Sequence, residues 1–280
     1  MSVISAENLH KAYGDVRALD GFELSVEPGQ IVGLIGPNGS GKTTALNAIL
    51  GLVSLDRGDL TVMGRNPGRE RASLMTEVAY IADTGILPRW MKVRDLLRYV
   101  SRVHPAFDLS AAKSHLARTD ILLDKPVSVL SKGMHVQLHL AIVLAIDAPL
   151  LVLDEPTLGL DIIYRQQFYD ALLNDYMDER RSILVTTHEV REIEHILTDV
   201  VFIHHGRSVL NLSTSAIAER FMKLTCNSRD GFAEAPLYSK QTLSGYEHVF
   251  RDVERSKLAE YGAVSTPHLA ELFVAVMGDE

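Results

Sequence analysis

The stretch GPNGSGKTT, Gly36 to Thr44, fits the pattern G-x-x-x-x-G-K-[ST] and lies between an apolar run, Ile31 to Ile35, and a helix-like segment. That spacing suits a grip on a nucleoside triphosphate. Glycines at 36, 39 and 41 let the backbone turn tightly round an anion. Successive N–H groups, and the positive end of the helix that follows, then converge on the β- and γ-phosphates. Lys42 adds a full positive charge, and Thr43 carries the hydroxyl that such loops offer to Mg²⁺. KTTALNAILG continues as an amphipathic helix that Gly51 can terminate. The whole run Gly36, Pro37, Asn38, Gly39, Ser40, Gly41, Lys42, Thr43 and Thr44 is the candidate phosphate site. By itself it does not separate a transport ATPase from a GTPase, a small-molecule kinase or a helicase.

A second chemical element is LLVLDE, Leu150 to Glu155, in which two carboxylates end an apolar strand. In a buried parallel sheet that end opens towards the ligand crevice. Asp154 can hold Mg²⁺ through its water shell, and Glu155 can polarise an attacking water. The alternative for an isolated Asp-Glu pair is a helix cap.

A third element is LSKGM, Leu130 to Met134, which opens a helix running through QLHLAIVLAI. Ser131 supplies a hydroxyl and Gly133 an unencumbered backbone N–H at a helix N-terminus, a second anion-binding device. With these three elements in this order, the chain resembles the ATPase subunit of an ATP-binding cassette (ABC) transporter over roughly residues 3 to 215.

The resemblance implies ATP and Mg²⁺ as cofactors and two cassettes paired head to tail, as a homodimer or a heterodimer. The signature segment of one, Ser131, Lys132, Gly133 and Met134, closes over the ATP held by the phosphate loop of the other. It further implies that Tyr13 stacks on adenine, although a tyrosine in a turn also serves simple packing. Asp161, in Leu158 to Asp161, would reach across the dimer. His188 would contact the γ-phosphate with Lys42 and Glu155 as its catalytic neighbours, while Thr186 and Thr187 fit equally as plain strand residues. Metal ligation is implied for Thr43, Asp154 and position 83. There the family has glutamine and this chain has Asp83, which is shorter and adds negative charge but can still ligate the metal. Met134 replaces the signature's usual final glutamine. The fold implied is an α/β P-loop ABC ATPase cassette over residues 1–220, with a parallel-sheet core, an antiparallel β subdomain and a helical subdomain at about 84–146. A small α+β accessory domain would occupy 221–280.

Texture along the chain agrees with these elements. The first thirty residues alternate short apolar stretches with turn signals, as short antiparallel strands do. Asp59 to Met63 is a further strand candidate. From about Thr84 to Ile146 the pattern is helical, with Val93, Leu96, Leu97 and Val100 at helical spacing. Leu150 to Leu153 and Ser182 to Thr186 read as buried parallel strands, each followed by a helix. Val200 to Ile203 and Ser208 to Leu212 read as a hairpin around His205-Gly206. The tail has strand-like Glu247 to Phe250 and a last helix around His268 to Met277. Trp90 fits either the core or the groove that, by resemblance, receives a coupling helix of a membrane partner near Asp83 to Trp90. His135 and His139 share a helical face, yet no third ligand is evident, so a packed or solvated face is the better reading than metal.

The chain has 280 residues, 46% of them hydrophobic, with a net charge of −8. Length and composition support a substantial core, and the acidic balance argues against nucleic acid as a partner. The single cysteine, Cys226, excludes an intrachain disulfide and suits a reducing cytosol. The amino terminus shows no secretory signal, and no apolar run approaches the ~20 residues that cross a bilayer. These features suit a cytoplasmic protein with no bilayer span of its own, and the resemblance implies that a transmembrane permease holds it on the inner face of the cell membrane. The resemblance is to bacterial export-type subunits encoded apart from their membrane chains. Two other readings stand: a mechanical regulator that drives a membrane partner without transport, and a soluble ABC protein of DNA repair or translation. The latter normally carries a long coiled coil or two cassettes, and this sequence has neither.

Overall fold

The computed structural model describes residues 2–82, 87–158, 162–178 and 180–278. Strands β1 (Ile4–Tyr13) and β2 (Val16–Val26) form an antiparallel hairpin, turning at Gly14 with φ 59°. Next come β3 (Ile31–Ile35), α1 (Lys42–Ile49) and β4 (Arg57–Val62). β4 returns to pair with β1, giving a three-stranded antiparallel sheet in the order β2-β1-β4. α1 ends as expected at Gly51, whose φ of 65° is left-handed.

After α2 (Pro67–Leu74) and β5 (Val78–Ile81), the expected helical region holds α3 (Val93–Val103), α4 (Leu109–Leu116) and α5 (Lys132–Leu144). Val93, Leu96 and Leu97 face inward from α3, as their spacing requires. Trp90 is 78% exposed, which settles its placement against the core.

β6 (Leu150–Asp154), α6 (Ile162–Ala171), β7 (Ser182–Thr187), α7 (Val190–Ile193), β8 (Asp199–His204) and β9 (Arg207–Ser213) complete a six-stranded sheet. Its order is β5-β6-β7-β3-β8-β9, parallel from β5 to β8 with β9 antiparallel at the edge. β3, β6 and β7 are buried along their full length, which is why their sequences are unbroken apolar runs rather than alternating ones. The helix expected after β7 is a single short turn. The β8–β9 hairpin turns through His205 and Gly206, both at positive φ, the geometry that matches strand twist.

After α8 (Thr214–Arg220), the tail contributes β10 (Phe221–Cys226), β11 (Tyr238–Thr242), β12 (Gly245–Arg251), α9 (Arg255–Ala259), β13 (Ala263–Ser265) and α10 (Leu269–Met277). Its strands form an antiparallel sheet in the order β11-β12-β10-β13. Leu224, Cys226, Phe250 and Leu258 make a small core of their own. Phe221, Val249, Leu269, Leu272 and Ala275 instead join the apolar core that also holds β6, β7 and α5. α10 is tied down further by Phe273, edge-on to Phe202 of β8 at 5.1 Å, and by the Leu269 N–H donating to Glu194 at 3.0 Å.

Candidate active site

β3, β6 and β7 end at one edge of the sheet, in register: Asp154 lies beside Thr186, and Ile35 beside Thr187. Everything that follows these three strands is therefore delivered to one place. The phosphate-loop segment leaves β3, the carboxylates leave β6, and His188 leaves β7. They meet at a 310 Å³ cleft lined in part by Asn38, Gly39, Gly41, Lys42, Thr43 and Thr44, with Asp154 and Glu155 opposite.

The loop's glycines are needed where the sequence places them. Gly41 has φ 111°, and a Cβ there would lie 2.4 Å from the Ala18 carbonyl oxygen; one on Gly36 would lie 2.4 Å from that of Ile203. Gly39 is also left-handed, with φ 81°. Lys42 is only 6% exposed. Its ammonium donates to the carbonyls of Gly36 at 2.7 Å and Pro37 at 3.2 Å and stands 3.8 Å from Glu155 Oε1. Burial pushes the Lys42 pKa down, and the charges of Glu155 and Asp154 oppose that fall. Ser40 Oγ is buried with no hydrogen-bond partner among the described residues. A buried hydroxyl left so is costly unless a ligand completes it.

Asp154 accepts a hydrogen bond from Thr186 Oγ1 at 2.6 Å, so Thr186 does more than fill a strand position. Glu155 is held differently. Its φ of 47° is left-handed, a conformation that costs a non-glycine residue about 1–3 kcal/mol. Its N–H donates to the Thr186 carbonyl and hydroxyl at 3.1 and 3.2 Å. The turn swings the carboxylate off the strand into contact with two partners, Lys42 and His188, whose Nδ1 donates to Glu155 Oε2 at 2.9 Å. The arrangement gives a carboxylate held by a ring N–H and able to orient and accept a proton from water, beside a cation suited to developing negative charge.

Other candidates lie outside this cluster. Tyr13 ends β1 opposite Val16, which lines the cleft. Its ring is 49% exposed and has the Lys11 ammonium 5.5 Å from its centroid. Asp83 and Asp161 fall outside the described residues. Ser131, Lys132, Gly133 and Met134 line no part of the cleft. Ser131 caps α5, its hydroxyl accepting from the Met134 N–H at 3.2 Å, and Lys132 is exposed. Met134 is partly buried against the core. Gly133 corrects the sequence reading of an unencumbered position: it is buried, with the Tyr164 ring of α6 against it. Neither Tyr164 nor the Thr186 to Asp154 bond has a signal in the sequence, because each depends on a contact between distant elements.

Oxygen donors at Asp154 and Thr43 on the cleft are chemically suited to a hard divalent cation. The His135–His139 pair is not such a site. His135 Nδ1 donates to the Ser131 carbonyl at 2.9 Å, and burial, helped by the charge of His135, pushes His139 down to about 4. Among the described residues no group of three or more His, Cys, Asp or Glu side chains is placed to hold a metal. No helix among them is long and apolar enough to cross a membrane.

The sequence model of the ABC transporter family matches residues 19–158, half of the chain. The Nod factor export ATP-binding protein I of Paraburkholderia xenovorans is 30% identical over 251 residues, covering 87% of this chain and 81% of that protein. A daunorubicin resistance ATP-binding protein of Streptomyces coeruleorubidus is 31% identical over 214 residues, covering 74% of this chain and 65% of its own. The fold is similar to a solved ATP-binding subunit of an ABC transporter, with TM-score 0.69, 25% identity, and 78% of this chain and 92% of that one covered. It is also similar in fold to a nucleotide-free ATP-binding cassette, with TM-score 0.65 and 21% identity, covering 78% and 94%. The chain belongs to the ABC transporter family and is one of its ATP-hydrolysing subunits.

Proposed function

We propose that this subunit hydrolyses ATP at the Gly36 to Thr44 loop and that two cassettes close on ATP to drive a transmembrane permease, most consistently an exporter. The observation that carries the reading is the convergence of Lys42, Glu155 and His188 at the end of three parallel strands. Lys42 and the loop amides bind the β- and γ-phosphates, with Ser40 Oγ available as a further donor. Glu155 orients the attacking water and takes its proton. His188 fixes the Glu155 carboxylate through its Nδ1–H and leaves Nε2 as the ring atom to face the transferring group. Thr43 and Asp154, with Asp83, would hold Mg²⁺, which supplies charge neutralisation on the phosphates.

Ser131, Lys132, Gly133 and Met134, away from the cleft within one chain, suit a role on the ATP of a second cassette, with Asp161 reaching across the same interface. Tyr13, opposite Val16 on the hairpin that borders the cleft, would stack on adenine. The exposed Trp90 suits the groove for a permease helix, which would hold the cassette at the inner face of the cell membrane. Residues 1–220 act as the cassette and 221–280 as an accessory domain. The exporter assignment rests on the relatives' names, one of Nod factor export and one of daunorubicin resistance.

The test is steady-state ATP turnover and ATP binding by wild-type and Glu155→Gln protein. The reading requires a loss of about 10²-fold or more in turnover with ATP affinity retained. Undiminished turnover in Glu155→Gln would place the base elsewhere.

A further inference from the structure

We propose that a second cavity, 480 Å³ in volume and formed where the tail meets α7, binds a small amphipathic anion: a carboxylate on a short apolar body. This goes beyond ATP hydrolysis and rests on residues that the nucleotide site does not use.

The cavity has the two kinds of surface such a ligand needs. Val249 of β12 with Ala270 and Val274 of α10 supply apolar wall. The charged groups do not cancel. Lys223 is neutralised by Glu271 at 2.8 Å, and the other oxygen of Glu271 is taken by the His268 N–H at 2.9 Å. Arg191, Lys240 and Glu247 remain, and among the described residues none of these three is within ion-pair distance of an opposite charge. Lys240 and Glu247 face each other across β11 and β12 in register, which offsets one charge with the other. The balance is one positive charge in excess, with a guanidinium available for two parallel hydrogen bonds to a carboxylate. The volume lies in the range of small-molecule sites, about 300–1,000 Å³.

The location gives the site a route to the chemistry. Arg191 belongs to α7, the turn that begins just after His188, and α10 is fixed to that same segment through Glu194. A ligand held between Arg191 and Lys240 joins α7 to the accessory sheet and biases the segment that carries His188.

The experiment is isothermal titration of the full chain with octanoate, and with octan-1-ol as the uncharged counterpart. The site predicts saturable one-to-one octanoate binding with Kd of about 1 mM or tighter, and binding of octan-1-ol about tenfold weaker. Arg191→Gln with Lys240→Gln should weaken octanoate about tenfold or more without altering the melting temperature, since both side chains are exposed. Glu247→Gln should tighten it, because a repelling carboxylate is removed. Absence of saturable octanoate binding, equal binding of the alcohol, or undiminished binding by the double variant would overturn the site. ATP turnover at saturating octanoate should shift about twofold or more in wild type and not in the double variant. Identical turnover with octanoate bound would remove the link to His188. Binding is read without ATP, so its failure is distinct from any failure of the ATPase reading.

Discussion

The Tyr164 ring lies so close over Gly133 that a Cβ on Gly133 would sit 2.3 Å from Cζ and 2.6 Å from each Cε of the ring. A side chain at this position therefore requires the Tyr164 ring to shift, which couples residue 133 of α5 to α6 within one chain. Tyr164 fixes the height of the α5 N-terminus against the helix that follows residue 161.

Gly133→Ala should consequently destabilise the isolated chain by about 1–3 kcal/mol, measured by urea unfolding without nucleotide. Tyr164→Ala in the same chain should recover most of that loss relative to its own background. A Gly133→Ala protein as stable as wild type would show that the ring moves aside at no cost.

His139 makes stability depend on pH. Its folded pKa, about 4, lies below the ordinary 6.5 because burial, with His135 nearby, disfavours the charged ring. The neutral form is the one the fold accepts. The stabilising contribution is full above pH 6.5 and is lost progressively as pH falls towards 4, by up to about 3 kcal/mol. Comparing urea unfolding of wild type and His139→Gln at several pH values in that window should show the steeper loss in wild type. Parallel curves would contradict the assignment.

These two features show what a sequence withholds. The phosphate loop, the Asp154-Glu155 pair and the His188 strand end are contiguous motifs on apolar strands, and their meeting at one sheet edge follows from parallel topology alone. The cover on Gly133 does not, since Tyr164 sits on another helix. In the tail, β11 is a mostly exposed edge strand and β13 spans only three residues, so neither carries an alternation to read. α2 buries only Pro67 and Leu74, which leaves no apolar stripe. Trp90 was ambiguous because an exposed tryptophan and a core tryptophan have the same sequence signature.

Leu272 of α10 is fully buried in the core shared with the cassette strands. Leu272→Ala should cost about 2–5 kcal/mol, and the loss should appear in the single unfolding transition of the whole chain followed by fluorescence and circular dichroism. A separate early transition of the tail would mean that the two parts unfold independently.

His188→Ala removes the Nδ1 donor that holds Glu155 at 2.9 Å. Turnover should fall about 10²–10³-fold, with ATP affinity changed only a few-fold, because Lys42 and the loop glycines are untouched. A large loss of ATP affinity with turnover preserved at saturation would assign His188 to ground-state binding instead.

Enclosure of ATP between the Gly36 to Thr44 loop of one cassette and the Ser131 to Met134 segment of another is tested most directly by size-exclusion chromatography with light scattering on Glu155→Gln protein. A monomer without nucleotide and a dimer with ATP and Mg²⁺ is the expected result. A persistent monomer in the presence of measured ATP binding would contradict closure between two copies of this chain and point to a different partner cassette or to a signature weakened by Met134.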